Sequence, residues 1–230
     1  MAAADPGPAG TAESRAATDA LLAGLAAGRW RPRAWLGFLA RAARRSCQQA
    51  VGHPRAVAEL TVLHGAFLLL GGRRCRVKVT TSGALALTHL GMLGPHASLG
   101  AANTLTLTRA NLPVIAPARP RWLGAAALGS DLLDGALARR LGTETPFGAY
   151  ADALADATFW TWYAGGDADS RPIRLASLTA WALPVIAVTT ASLARGRMVD
   201  PPRSRVLRPA AALQLVLALR ALLTPDPVQR

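Results

Sequence analysis

The chain has 230 residues, of which 51% are apolar and 17% are charged. Ala and Leu dominate and aromatic residues are few, which favours helices over strands. The two cysteines, Cys47 and Cys75, belong to no CxxC or Cys/His cluster, so the sequence excludes a disulfide framework and argues against a zinc site.

The net charge of +13 comes almost entirely from arginine, since Lys78 is the sole lysine. Such a charge is compatible with binding to nucleic acid, to an anionic membrane surface or to an anionic substrate. Nucleic-acid binding would rest on the net charge alone, and we do not expect it.

The first 95 residues divide into a short tail and a longer region. Residues 1–18 are rich in Ala, Gly and Pro and are predicted to be disordered. They lack the basic and apolar segments of a signal peptide. Residues 19–95 are predicted to be amphipathic and membrane-associated. Within them, 19–50 interleave apolar positions with arginines, which indicates a basic helix on a membrane surface or an ordinary solvated helix, and 56–72 form a marginal span.

A transmembrane core is predicted over residues 96–225. Its predicted helices are 103–118, 122–140, 146–165, 175–194 and 206–223. Thr145 followed by Pro146 makes a good N-cap and first-turn pair for the third of these helices. The predicted fold is an all-α polytopic transmembrane helical bundle of about five to six spans, with an N-terminal basic amphipathic region.

The charges of the loops predict an orientation. The 195–208 loop carries five arginines against Asp200 alone, so the positive-inside tendency places it in the cytoplasm. Counting back two spans puts the 141–147 connection on the same side, in a multi-pass protein of the cell membrane. With two spans before residue 95, the basic stretch at 73–78 would lie outside, against the positive-inside tendency, unless one of those two segments is interfacial or re-entrant.

Four aspartates fall in one otherwise apolar stretch: Asp131, Asp134, Asp152 and Asp156. An ionised carboxylate near the centre of a bilayer costs roughly 2.5–3.5 kcal/mol, so four unpaired ones would cost on the order of 10 kcal/mol. The i,i+3 and i,i+4 spacings place each pair on one face of its helix, and a short connection makes the two helices antiparallel neighbours. Two opposed carboxylate pairs suit a site for two divalent cations.

Small residues and an arginine lie between the two pairs. Gly135, Ala138 and Gly148 allow the backbones to approach closely and leave room for a flat ligand such as a nucleotide base. Arg139 supplies a fixed positive fork for phosphate. Cations, arginine and space together indicate a diphosphate substrate.

At this spacing the residues resemble a family signature. The pattern Asp131-x2-Asp134-Gly135-x2-Ala138-Arg139-x8-Gly148-x3-Asp152-x3-Asp156 has eight positions over 26 residues. It is similar at every position to the signature of the CDP-alcohol phosphatidyltransferase family. Upstream, residues 103–109 (NTLTLTR) resemble the N-x-x-T-x-x-R segment that opens the first core helix of that family. The resemblance covers roughly residues 100–223.

The resemblance implies a polytopic membrane transferase of phospholipid biosynthesis, typically with six spans. Such enzymes move a phosphoalcohol group, here expected to be a phosphatidyl group, from a CDP-alcohol such as CDP-diacylglycerol to an acceptor hydroxyl and release CMP. The implied partners are this donor, an alcohol acceptor, membrane lipid and, as a further possibility, a second copy of the chain in a homodimer. The chain departs from the family pattern in having three predicted spans from the second aspartate pair onward where about four are usual.

The resemblance also implies roles for individual residues. Asp131, Asp134 and Asp152 would hold one divalent cation, and Asp131, Asp152 and Asp156 the other, with Mg²⁺ or Mn²⁺ as the two ions. Asp156 would also be the general base that takes the proton of the acceptor. The residues expected to line the CDP site are Gly135, Ala138, Arg139 and Gly148, with further contacts to the nucleotide or diphosphate from Thr145, Asn103 and Thr106.

A second hypothesis is a non-catalytic membrane protein whose basic N-terminal region binds anionic lipid or a partner. The change Asp156→Asn separates the two hypotheses. It abolishes CMP release under the first and leaves binding intact under the second.

Overall fold

The computed structural model describes residues 9–166, 171–199 and 208–223, and these contain helices and no strand. The helices are α1 (Ala9–Ala27), α2 (Pro32–Val51), α3 (Pro54–Thr88), α4 (Gly100–Ile115), α5 (Leu123–Leu141), α6 (Pro146–Gly165), α7 (Arg171–Arg195) and α8 (Arg208–Leu223), with a 3₁₀ turn at Leu90–Leu93. The predicted all-α class is confirmed for this part of the chain.

The N-terminal region differs from the prediction in two places. Helix α1 begins at Ala9, inside the segment predicted to be disordered, because Pro and Gly are confined to its first ten residues and the rest favours helix. Residues 1–8 lie outside the described residues. The helix predicted over 19–50 is two helices, since the chain turns at Arg29 and Trp30, which have positive φ angles, and Pro32 holds Arg31 extended before α2.

Helix α2 buries none of its residues against the rest of the protein. Its aromatic side chains contact one another, with ring centroids 5.7 Å apart for Trp35 and Phe38. Leu36 and Leu39 are exposed, beside a series of arginines. This exposed apolar and basic surface agrees with the predicted amphipathic character of the region, whose position on a membrane stays a prediction.

Helix α3 folds back on itself at Gly72, where φ is 61° and ψ is −161°. This conformation is open essentially only to glycine. The first arm (residues 54–71) and the second arm (residues 73–88) lie side by side, because His64 Nε2 is 3.3 Å from Ser82 Oγ. The basic stretch at 73–78 therefore begins the second arm.

Helix α4 lies at the centre of the bundle and buries most of its residues. Near its middle, Leu107 packs in one cluster with Phe147 of α6 and Leu60 of the first arm of α3. Near its C-terminal end, Val114 packs with Phe67 and Val79, one from each arm. A further apolar cluster joins α5, α6 and α8, with these members at its centre: Leu123, Ala127, Phe159, Trp160, Tyr163, Leu217 and Ala218.

Two of the described helices, α3 and α7, are long and apolar enough to cross a membrane by length and composition, although the 35 residues of α3 are divided between its two arms. Helices α4 and α8 have 16 residues each, which is short for a span. Helices α5 and α6 are longer but carry the aspartates, which lower their hydropathy. The predicted count of five to six spans thus stays a prediction.

Candidate active site

Local sequence signals position the two aspartate-bearing helices. Helix α5 ends at Gly142, which has the left-handed conformation (φ 62°, ψ 32°) typical of a residue that terminates a helix. Helix α6 begins after Thr145, whose hydroxyl accepts a hydrogen bond from the Gly148 N–H at 3.0 Å, with Pro146 in the first turn. The predicted N-cap is confirmed. The two helices do not pack closely along each other as predicted, because each packs along α4, and α4 brings the two aspartate pairs together.

The structure gathers the four aspartates into one cluster, called here the aspartate cluster. Asp131, Asp152 and Asp156 each offer a carboxylate oxygen within 4.8 Å of the other two. Asp134 is 6% exposed, and its Oδ2 accepts a hydrogen bond from the Thr106 hydroxyl at 2.7 Å. The three partly exposed carboxylates are therefore the ones that share a potential metal position, and Asp134 borders them on the side of α4.

The guanidinium of Arg109 lies in the middle of the aspartate cluster. Its side chain is 0% exposed. Its contacts are Nη1 to Asp134 Oδ2 at 2.8 Å, Nη2 to Asp131 Oδ1 at 3.2 Å, Nε to Asp156 Oδ1 at 3.1 Å, and a close contact of Nη2 with Asp152 Oδ1. Sequence reasoning placed Arg109 in the upstream segment and assigned it no role. The available signal was the position of an arginine in a helix that is otherwise free of charge.

Gln214 is the second residue of the site without a predicted role. It lies on α8, is 7% exposed, and its Nε2 donates a hydrogen bond to Asp156 Oδ2 at 3.0 Å. A lone amide in an apolar helix needs a partner when it is buried, and that is the signal that the sequence offered.

Of the seven residues expected to contact the nucleotide, three meet at the start of α6. Asn103 and Thr145 line a cavity of about 190 Å³ whose other walls come from residues 96–100 and Thr143. A Cβ added at Gly148 would lie 2.8 Å from Asn103 Oδ1, so this position has no room for a side chain. The cavity is smaller than the roughly 300–1,000 Å³ of typical ligand pockets and suits one part of a larger ligand.

The other four expected residues lie elsewhere on α4 and α5. Arg139 is exposed, and its Nη1 would be 3.2 Å from a Cβ at Gly135, so its side chain lies along that glycine. Ala138 is half-buried, and its carbonyl accepts a hydrogen bond from Thr143 N–H at 2.9 Å at the end of α5. Thr106 is directed at Asp134, as described above.

The chemistry of the aspartate cluster fits divalent cations. Four carboxylates face a single guanidinium, which leaves a formal excess of three negative charges. Asp156 Oδ1 is buried and makes no hydrogen bond among the described residues, so it has lone pairs for a further cation. An all-oxygen donor set suits Mg²⁺ or Mn²⁺ rather than a soft metal.

Comparison with known families agrees with this chemistry. The family model for CDP-alcohol phosphatidyltransferase matches residues 99–229, a segment that contains the whole aspartate cluster, Arg109 and Gln214. Comparisons with curated proteins and with solved structures gave no significant match. Members of the matched family are integral membrane transferases of phospholipid synthesis that use divalent metal. Because the match covers more than half of the 230 residues, the chain belongs to the CDP-alcohol phosphatidyltransferase family.

Proposed function

We propose that the protein transfers a phosphatidyl group from CDP-diacylglycerol to an acceptor hydroxyl with release of CMP. The aspartate cluster is the observation that carries this proposal, because Asp131, Asp152 and Asp156 present oxygens within 4.8 Å of one another in an otherwise apolar bundle. Carboxylates in such a place are costly unless a cation offsets them. Two bound cations would in turn attract the diphosphate of the donor.

Two divalent ions, Mg²⁺ or Mn²⁺, would be held by the aspartate cluster. Asp131, Asp134 and Asp152 are the proposed ligands of one ion, and Asp131, Asp152 and Asp156 those of the other. The close approach of oxygens in the second set supports that assignment. When bound, the ions neutralise the diphosphate and stabilise the departing CMP.

Asp156 is the proposed general base. The acceptor oxygen attacks the phosphorus of the phosphatidyl group, the bond from that phosphorus to the CMP oxygen breaks, and the acceptor's proton passes to Asp156. Its Oδ2 is fixed by Gln214, while its Oδ1 makes no hydrogen bond among the described residues and lies 3.1 Å from Arg109 Nε. An oriented carboxylate whose second oxygen is held only by this ion pair suits the task.

The donor's nucleotide would lie beside the start of α6. The proposed contacts come from Gly135, Ala138, Arg139, Gly148, Thr145, Asn103 and Thr106. The cavity lined by Asn103 and Thr145 supports a position for part of the nucleotide, and the absence of a side chain at Gly148 allows a close approach of the backbone. Exposed Arg139 offers a guanidinium to a phosphate oxygen.

We also propose a multi-pass protein of the cell membrane whose site faces the cytoplasm. Residues 96–100 and the connection between α5 and α6 line one cavity, so they share one end of the bundle. The loop after α7 is tied to the N-terminal region, since Met198 N–H donates to Asp19 Oδ1 at 2.5 Å. That loop and α2 are both rich in arginine, which favours the cytoplasmic side.

The test is CMP release by the purified protein in detergent, with CDP-diacylglycerol as donor against a panel of alcohol acceptors. We expect release that requires one acceptor and Mg²⁺ or Mn²⁺, stops with EDTA and is abolished in Asp156→Asn. CDP-choline and CDP-ethanolamine with diacylglycerol serve as donor controls. Metal-dependent turnover of these controls alone would assign a different donor, and a folded protein that neither turns over nor binds CDP would contradict the proposal.

The second candidate function, binding of anionic lipid or a partner without catalysis, rests on the exposed surface of α2. Leu36 and Leu39 are 68% and 55% exposed in a helix that carries four arginines. If this surface were the whole function, the purified protein would bind anionic vesicles, show no CMP release and bind equally well as Asp156→Asn.

A further inference from the structure

Arg109 and the aspartate cluster offset each other's cost of burial. A buried guanidinium without an anion, or four close carboxylates without a cation, would each be strongly unfavourable in an apolar bundle. In the structure, one guanidinium contacts all four carboxylates. The aspartate cluster is thus partly neutralised by a residue of the chain itself.

The position of Arg109 overlaps the position that a metal would need. Its Nη2 and Nε are directed at Asp131, Asp152 and Asp156, the three residues whose oxygens lie within 4.8 Å of one another. A Mg²⁺ ion needs carboxylate oxygens at about 2.0–2.1 Å. A dication at that point would face the guanidinium across a few ångströms of low-dielectric interior, where like charges repel strongly.

The charge count leads to the same conclusion. Two divalent cations balance the four carboxylates by themselves, so the guanidinium loses its electrostatic partners once both ions are bound. The aspartates then no longer offset the free-energy cost of burying the Arg109 guanidinium, so Arg109 needs another anion as a partner. The diphosphate of the donor is the anion that arrives at this place under the proposed function.

We propose that Arg109 is an internal counter-cation that holds the four aspartates together in the metal-free protein and gives up these contacts when divalent cations bind. This inference rests on the proposed function, because it takes the aspartate cluster as the metal site. Arg109 is a positioning residue in this role. It keeps the ligands facing one another before the metal arrives and lowers the metal affinity by competing for the same oxygens.

The rival role is a structural tie between α4 and its neighbours that stays in place when metal binds. The two roles predict opposite effects on metal binding. Removal of a tie would let the aspartates spread apart and weaken metal binding, whereas removal of a competitor strengthens it. Metal affinity therefore distinguishes the roles without any measurement of turnover.

The experiment compares the wild-type chain with Arg109→Gln and Arg109→Lys, purified in detergent. Mn²⁺ binding is measured by calorimetry or by the spin-resonance signal of free Mn²⁺, and the melting temperature Tm is measured with EDTA and with saturating Mn²⁺. We expect Arg109→Gln to lower Tm in EDTA, to recover near wild-type Tm with Mn²⁺, and to bind Mn²⁺ at least tenfold more tightly. Arg109→Lys should fall between, because an ammonium group contacts fewer carboxylates at once than a guanidinium fork.

Arg119→Gln is the matched control. Arg119 is also partly buried. Its guanidinium lies 4.4 Å from the ring centre of Trp162 and donates a hydrogen bond to the Trp162 carbonyl, away from the aspartates along α6. This change should lower Tm equally with EDTA and with Mn²⁺ and leave the Mn²⁺ affinity unchanged.

Unchanged or weaker Mn²⁺ binding in Arg109→Gln would overturn the proposal. If Arg109→Gln folds only with Mn²⁺ present, the Mn²⁺ affinity of Arg109→Lys is used instead. An affinity of Arg109→Lys equal to or below that of the wild type would also overturn the proposal. Metal-dependent CMP release by the wild type together with unaltered metal affinity in the variants would remove this inference and leave the proposed function standing. If the wild-type protein bound no Mn²⁺, both the inference about Arg109 and the proposed function would be contradicted.

Discussion

Gln214 joins α8 to the aspartate cluster, because its Nε2 donates a hydrogen bond to Asp156 Oδ2 at 3.0 Å. The contact fixes the rotation of the Asp156 carboxylate and leaves Oδ1 as the oxygen that faces the interior of the cluster. This hydrogen bond therefore links α8, which already packs on α5 and α6, to the catalytic carboxylate proposed for the site. The effect of this hydrogen bond on kcat can be measured separately from its effect on the KM for the donor.

The change Gln214→Leu removes this hydrogen bond with little change in side-chain volume. A hydrogen bond to a charged group contributes about 1.5–3 kcal/mol, and 1.36 kcal/mol corresponds to a tenfold change in rate. We expect kcat for CMP release to fall at least tenfold, with a small change in the KM for CDP-diacylglycerol. Steady-state kinetics test this, with Gln48→Leu on the exposed face of α2 as control. Equal kcat in the two variants would show that the orientation of Asp156 does not depend on Gln214.

The residues of the site divide into those that sequence could predict and those that it could not. The gathering of the aspartates was predictable, because each pair lies on one face of its helix and a short turn connects the two helices, whereas the roles of the small residues between them stay a prediction. Arg109 and Gln214 were not assigned, because their contacts cross 22 or more positions of sequence and depend on how α4 and α8 pack. A buried polar residue in an apolar helix predicts that a partner exists, but only the fold identifies the partner.

The boundaries of the helices are likewise predictable where the signal is local and not where it comes from a distant part of the chain. Helix α6 begins and ends as predicted, at Pro146 and Gly165, because its cap is local. Helix α4 begins at Gly100, three residues before the predicted start. The reason is a distant carboxylate, since Glu59 of α3 accepts a hydrogen bond from Leu99 N–H at 2.8 Å, and an anion there stabilises the start of a helix.

The fold-back of α3 at Gly72 gives an element-scale prediction. With φ at 61° and ψ at −161°, a residue with a Cβ is strained by about 1–3 kcal/mol. We expect Gly72→Ala to lower the Tm of the purified protein. Gly65→Ala in the first arm is the matched control, because no atom lies within 4 Å of the added Cβ and alanine favours helix over glycine. A Tm for Gly72→Ala at or above that of Gly65→Ala would contradict the observed fold-back.

At the scale of the whole molecule, the two arms of α3 extend the bundle beyond the segment shared with the family, which begins at residue 99. The Gly72 turn lies level with the far ends of α4 and α6, because Val114 packs with both arms and Lys78 Nζ lies 5.7 Å from the ring centre of Trp162. The arms thus reach as deep as the helices that carry the site. If α4 to α8 cross the bilayer, the arms cross it too, and the number of spans is seven instead of five to six.

This arrangement places the basic stretch at 73–78 opposite the site, against the positive-inside tendency. The geometry and the charge rule therefore make opposite predictions for the Gly72 turn. We follow the prediction from the packing of the arms. The positive-inside rule is statistical, and it discriminates poorly here because both ends of this bundle carry arginine. We expect the turn to be accessible from outside the cell and α2 to be accessible from the cytoplasm.

Cysteine labelling in intact and permeabilised cells tests this arrangement. Cys47 on α2 is exposed and serves as the cytoplasmic probe in a Cys75→Ser background. Arg74→Cys in a Cys47→Ser, Cys75→Ser background reports the exposed turn. A membrane-impermeant maleimide should label Arg74→Cys in intact cells and Cys47 only after permeabilisation. Labelling of both positions only after permeabilisation would contradict the outside position of the turn. The basic stretch would then lie on the cytoplasmic side, as the charge rule predicts, and the arms would not cross the bilayer.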